Sequence, residues 1–429
     1  MQPLGLTFRA WLTLQEAPIA RLKGCIMDSP MLSSVVLPIM ASSSTALILG
    51  GGVFGLTSAL ELRSRGWQVT LLDAGVIPHP DAASTDINKV IRMDYANDEQ
   101  YTAMGELSIQ RWLEWNVRWG EELFHEDGFL IMTRGEMQPG SFEHDSHTFL
   151  TARRHQLVRM DSTLLQQKHP QWKAESFPNG YLNPCGGWGA SGRVVVRLKQ
   201  DALNAGVEIH EHAQFGQWIE ERGRISGVKD TLGNEWRANV TVSAVGAWTT
   251  EYLPWLSDRL WATAQPVFHF RPANPEDWHA PAFPVWAADI GTTGWYGFPA
   301  NAEGIVKVAN HGPGRRVRAS EPRVMPAGEE ARFRAFLRET FPALADAPLA
   351  STRICLYGDS FDGHFLIDHD PDHPGLFIAS GDSGHAFKFT PVLGELIADA
   401  VERKPNPWLA KFAWREPTGL GGEGARARD

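Results

Sequence analysis

An α/β fold, with one parallel sheet assembled from separated stretches of chain and a second, mostly antiparallel sheet, follows from three features of the 429-residue sequence. A glycine turn of the form G-x-G-x-x-G stands between an apolar run and a helix near the front. Apolar runs of buried-strand type return in "VTVSAVGAW" and in "GLFIASGDSGHAFKF". Residues 256–345 change texture, to short β-type runs broken by Pro, Trp and Gly, as in "QPVFHF" and "GWYGFPANAEGIVKVANH".

The front unit is "TALILGGGVFGLTSALELRSRGWQVTLLDAG". Residues 46–49 read as a strand, 56–65 as a helix ended by Gly66, and 68–72 as a second strand finishing on Asp73. Gly50 permits the tight turn, Gly52 lets the backbone approach a pyrophosphate, and Gly55 lets the helix pack on the sheet; Val53 and Phe54 lie between them. Asp73 follows Gly55 by 18 residues, where a carboxylate accepts from an adenosine ribose. Strand, fingerprint, helix, strand and acid together predict a Rossmann-like dinucleotide site. They do not separate NAD from FAD.

Further along, Tyr101, Met104, Leu107, Trp112 and Trp115 fall at mostly helical spacing and predict a helix over 99–115. A second helix is expected over 197–205, followed by strands in "VEIHEH", "QWIEE" and "RISGVKD". "VTVSAVGAW" is a buried strand leading to Gly246. A helix is expected over 327–344, and a last one opens with Thr390 as N-cap and Pro391 in its first turn.

The nucleotide domain is thus expected to comprise 45–130, 186–255 and 350–410, with an α+β substrate domain from 131–185 and 256–349. Residues 1–44 are expected to be an unstructured extension, with Met27, Met31 and Met40 as alternative starts, and 411–429 a polar tail. Such a discontinuous nucleotide domain favours a flavoprotein over a simple dehydrogenase.

Composition excludes other classes. Hydrophobic residues at 43% and charged residues at 21% describe an ordinary globular protein, and a net charge of −10 argues against a general nucleic-acid binder. Cys25, Cys185 and Cys355 show neither a disulfide framework nor a metal spacing. No metal is expected. No apolar run reaches the length of a membrane span, so no membrane association is expected. The chain ends Ala427-Arg428-Asp429, which is not a peroxisomal tripeptide, and the front extension resembles a transit peptide only weakly, so cytoplasm is the default expectation. Oligomeric state is not legible.

Four stretches together resemble the monomeric sarcosine oxidase and fructosyl-amino-acid oxidase family within the D-amino acid oxidase superfamily, nearest to fungal members. They are the fingerprint with Asp73, "STDINKVIR", "WYGFPANAEGIVKVANH" and "CLYGDSFDGHFLIDHDPDHPGLFIASGDSGHAFKF". The resemblance covers residues 46–410 and implies an FAD enzyme oxidising secondary amines of amino acids, with oxygen as acceptor.

It implies that Arg92 and Lys388 hold the substrate carboxylate, that Tyr296, Tyr357 and His311 line the pocket, and that Lys307 activates oxygen. It implies that Cys355 is joined through sulfur to the flavin. Lys89 stands where sarcosine oxidases carry an arginine against the flavin, a change that keeps charge but not geometry. Gly384, His385 and Phe387 fall in the implied flavin loop, and Cys185 matches no role. Taken singly, each residue has an ordinary structural explanation; the joint spacing carries the reading. Candidate substrates are N-methyl, cyclic and N-substituted amino acids and fructosyl amino acids. A specialised biosynthetic amine oxidase, a flavoprotein dehydrogenase with another acceptor and a non-catalytic FAD protein stay open at this point.

Overall fold

The computed structural model describes residues 44–422 and 424–427. The expected extension (Ser44 apart), Cys25, Met27, Met31 and Met40 lie outside the described residues.

Six strands form the first sheet, in the order Leu366–His369, Leu376–Ser380, Val240–Ser243, Thr45–Leu49, Gln68–Leu72 and Glu208–His210. All pairings are parallel except the edge pair Leu366–His369 with Leu376–Ser380. Parallel strands are covered on both faces, which is why these segments read as continuous apolar runs. Helices Val53–Ser64, Ser191–Asn204 and Thr390–Val401 supply one cover, with Leu56, Val194 and Leu393 in a shared core. A three-stranded antiparallel sheet, Phe215–Glu221, Arg224–Asp230 and Glu235–Arg237, supplies the other, where Val228 packs on Leu47, Leu49 and Leu72.

The second sheet has nine strands and is antiparallel except where Val285–Ala288 pairs parallel with Phe129–Thr133. Its long central strand, Leu260–Phe270, pairs with Val306–Asn310, Arg315–Val317 and Leu349–Ser360. The aromatic residues of this half, including Trp172, Trp286, Phe268, Phe333 and Phe341, form its core. A small sheet joins Lys89–Ile91 to Gly187–Gly189 and Phe124–His125, and so fixes the segment that carries Lys89 and Arg92.

Several sequence expectations need correction. The helix expected over 99–115 runs Glu99–Trp119: Asp98 caps it by accepting from the Tyr101 N–H at 3.0 Å, and neither glycine nor proline falls between 115 and Gly120. The helix expected from 197 begins at Ser191, because Val194 and Val195 are already on its buried face. That expected over 327–344 is two helices, Glu329–Thr340 and Pro342–Ala345, interrupted before Pro342. Thr390 is the first helical residue rather than the N-cap, and its hydroxyl donates back to the Phe387 carbonyl at 2.5 Å.

Strands Phe129–Thr133 and Leu349–Ser360, which straddle the expected domain boundaries at 130/131 and 349/350, both pair into the large sheet. Pairing with distant strands decides their place. The tail is also more than polar: Arg415 pairs with Asp362, and Ala425 and Ala427 are buried.

Candidate active site

Two clefts meet at one boundary. The first is lined by Gly50, Gly51, Gly52, Val53, Phe54, Asp73 and Gly246, with Lys89, Tyr357, Gly384 and Phe387 at one end. The second is lined by Lys89, Arg92, Tyr296, His311, Tyr357, Gly384, His385, Phe387 and Lys388, with apolar Val90, Phe129, Ile290 and Phe298. Lys89, Tyr357, Gly384 and Phe387 line both. A long ligand in the first cleft therefore ends where a smaller one in the second begins.

The glycine turn is built as expected. Gly50 has φ +100°, and a Cβ on it would lie 2.5 Å from the Ala244 carbonyl oxygen. A Cβ on Gly55 would lie 1.9 Å from the Gly50 carbonyl oxygen, so Gly55 serves close packing and does not line the cleft. Asp73 accepts from the Gly51 N–H at 2.7 Å and the Gly75 N–H at 2.9 Å. Burial raises its carboxyl above the usual range against those two bonds. The glycine cradle with its acid suits a dinucleotide. The residues fit FAD.

On the second cleft, Arg92 is anchored from behind. It donates to the Asp94 carbonyl, and its guanidinium carbon lies 4.5 Å from the Tyr95 ring centroid and 5.3 Å from that of Phe142. The Asp94 carboxylate accepts from Tyr181 Oη at 2.8 Å and Asn183 Nδ2 at 3.0 Å. Lys388 donates to the His385 carbonyl at 2.8 Å. His385 bonds the Gly363 carbonyl through Nε2, which must donate, so Nδ1 accepts from the Tyr95 hydroxyl at 3.0 Å. The Tyr296 and Tyr357 phenols hydrogen-bond to each other, and burial raises both above the ordinary tyrosine value.

Lys307 does not line the cleft. It is 1% exposed behind Phe298, its Nζ 4.6 Å from that ring's centroid, and donates to Asp86 Oδ2 and to the Asn88 carbonyl, both at 2.7 Å. Asp86 also faces Lys89 at 3.8 Å and His269 at 3.6 Å. Burial lowers the Lys307 ammonium to about 8 despite the Asp86 charge. For Asp86 burial acts upward, but Lys307, His269 and Lys89 hold its carboxyl well below the usual range. Two ammonium groups thus stand against one carboxylate.

Cys355 is buried, with Lys89 Nζ 3.8 Å from its Sγ; it packs with Ala83, itself a lining residue of the first cleft.

Sequence reasoning missed Asp86, whose partner Lys307 is 221 positions away. It also missed Ser84, whose Oγ accepts from the Val53 N–H at 3.1 Å, and Asp382, held by the Gly358 and Gly384 N–H groups at 2.8 and 2.9 Å and pushed by burial to about 6. Asp382 sits inside the quoted "GDSGHAFKF", so an acid between two glycines was the available signal. Among the described residues no helix is long and apolar enough to cross a membrane.

Residues 45–400 match the family model described as DAO, FAD dependent oxidoreductase. The chain is 26% identical to the L-saccharopine oxidase of Schizosaccharomyces pombe, over 87% of this chain and 94% of that one. It is 24% identical to the monomeric sarcosine oxidase of a Bacillus species, over 88% and 97%. The crystal structure of the deglycating enzyme fructosamine oxidase (Amadoriase II) from Aspergillus fumigatus superposes with a TM-score of 0.75 at 25% identity, covering 90% of this chain and 94% of that one.

Proposed function

The chain belongs to the DAO family of FAD-dependent oxidoreductases, and from that premise we propose that it oxidises the secondary amine of an amino-acid-type substrate, with oxygen as acceptor. The products are an imine, which hydrolyses, and hydrogen peroxide. The observation that carries this reading is the pairing of Arg92 and Lys388 on one small cleft that shares its inner end with the dinucleotide cleft.

Bound FAD supplies the two-electron acceptor chemistry. Arg92 and Lys388 bind the substrate carboxylate, and the planar guanidinium, held by the Asp94 carbonyl, orients it. Phe129, Ile290 and Phe298 exclude water from the amine. Tyr296, Tyr357 and His311 form the polar side of the cleft. The Lys307 ammonium, behind Phe298, supplies positive charge for the reaction with oxygen. Lys89, Asp73, Gly246, Gly384 and Phe387 hold the cofactor. The discontinuous nucleotide part is assigned to the six-stranded sheet, and the substrate part to the nine-stranded one.

The reading is tested with an N-methyl amino acid and the same amine lacking its carboxyl group. Peroxide is expected from the first at a kcat/KM at least about 100-fold higher; equal rates, or no peroxide with any secondary amine, would sink it. The structural likeness to a fructosamine oxidase supports fructosyl amino acids as a second substrate class.

Cys355 is proposed to hold the flavin covalently, supported by Lys89 against its sulfur. Acid-precipitated wild type should stay yellow, and Cys355→Ala should release flavin to the supernatant. Free flavin from the wild type would return Cys355 to a buried thiol.

A further inference from the structure

Residues 424–427 lie beyond the end of the family match at 400 and are not among the residues lining the second cleft, yet they pack against several that are. Ala425 is 1% exposed and belongs to the apolar cluster of Phe129, Phe142, Ile290 and Phe298, three of which line the cleft. Gly424 lies against Phe142, the ring beneath the Arg92 guanidinium. The Ala427 N–H donates to the His311 carbonyl at 3.0 Å.

Arg426 pins this segment. Both of its terminal nitrogens donate to Asp359, Nη2 at 2.8 Å, while Nη2 and Nε also donate to the Pro313 and Gly312 carbonyls at 3.2 Å. Its guanidinium carbon stands 5.5 Å from the Tyr357 ring centroid. Asp359 is two residues from Tyr357 on the same strand and is 4% exposed, so the pair is tied to the cleft wall. A bidentate Arg–carboxylate pair in a largely buried place holds geometry far better than an exposed one.

We propose that residues 424–427 back the wall of the substrate cleft formed by Phe129, Ile290 and Phe298, and that Arg426 is the positioning residue that docks this backing and thereby limits the size of ligand the cleft accepts. The proposal rests on the carboxylate-binding reading of Arg92 and Lys388. With the backing docked, a small carboxylate fits beside Phe129 and Ile290. With it released, Phe129, Ile290 and Phe298 lose the support of Ala425, and a bulkier ligand gains room by displacing them.

The test uses the FAD-loaded protein, titrated with acetate and with phenylacetate and followed by flavin absorbance, in wild type, Arg426→Ala, Arg426→Lys and a chain ending at Thr418. Phenylacetate should bind about ten-fold more tightly to Arg426→Ala and to the shortened chain, with acetate affinity unchanged and Arg426→Lys closer to wild type. Hydrogen exchange should show the Ala427 amide protected in wild type and released in Arg426→Ala. Equal shifts for both carboxylates, or none for either, would overturn the wall as a size limit. If neither carboxylate perturbs the flavin in any form, the clamp reading fails; the exchange data then decide, and protection unchanged by Arg426→Ala overturns the proposal.

Discussion

Replacing Lys307 by Met is expected to slow oxygen consumption by about 10²–10³-fold, the usual cost of removing one preorganised electrostatic group. Reduction of the enzyme by substrate should change far less, because Lys307 stands behind Phe298 and does not line the cleft. Stability should fall as well. Asp86, buried and ion-paired at 2.7 Å, would lose its nearest cation, and breaking a buried pair from one side costs about 3–5 kcal/mol.

The two effects separate in the double variant Lys307→Met with Asp86→Asn. It should regain most of the stability and little of the oxygen rate, since the remaining ammonium, Lys89, faces the Cys355 sulfur. Stopped-flow reoxidation and thermal melts on the same preparations read both. The pH dependence has a defined sign. The reactive form is the cation, and burial places its loss near pH 8, so the oxygen rate should decline above about pH 8 in wild type. In Lys307→Met that decline should vanish. Wild-type oxygen reactivity in Lys307→Met would remove the role assigned here.

Arg92→Ala should lower kcat/KM for an N-methyl amino acid by about 100-fold or more, equivalent to ~3 kcal/mol for lost charge-assisted hydrogen bonds. The loss should fall mainly on KM, and the variant should no longer prefer the amino acid over its decarboxylated amine. Arg92→Lys should recover only part, because an ammonium lacks the planar fork. The fold should tolerate the change, since Asp94 keeps Tyr181 and Asn183 as donors. Steady-state kinetics with both amines check this; an unchanged preference would move carboxylate binding away from Arg92.

What could be read from sequence was mostly local. The turn at Gly50–Gly55 and the acid at Asp73 interact within one short unit, so their spacing reports their geometry. The cleft residues became legible only through family spacing, because Arg92, Tyr296, and the pair Tyr357 and Lys388 come from three separated stretches. Asp86 escaped because its closest ion pair is with Lys307 across the fold, while the nearby Lys89, at 3.8 Å, gives only a short-range charge pair of an ordinary kind. Lys307, expected to activate oxygen, lies behind the cleft wall, since its strand Val306–Asn310 is buried throughout. The strand Leu349–Ser360 joined the large sheet through its register with Leu260–Phe270, which no local pattern encodes. Composition marked the end of the chain as polar, and only its contacts with Asp359 and His311 show a segment packed on the cleft.

The central claim is best tested by anaerobic mixing of the yellow protein with sarcosine, other N-methyl amino acids, L-pipecolate, saccharopine, fructosyl-glycine and fructosyl-lysine. One class of secondary amine should bleach the oxidised-flavin absorbance rapidly, and admission of oxygen should restore it with release of peroxide. Bleaching by dithionite but by none of these amines would contradict the assignment of an amino-acid amine to this cleft.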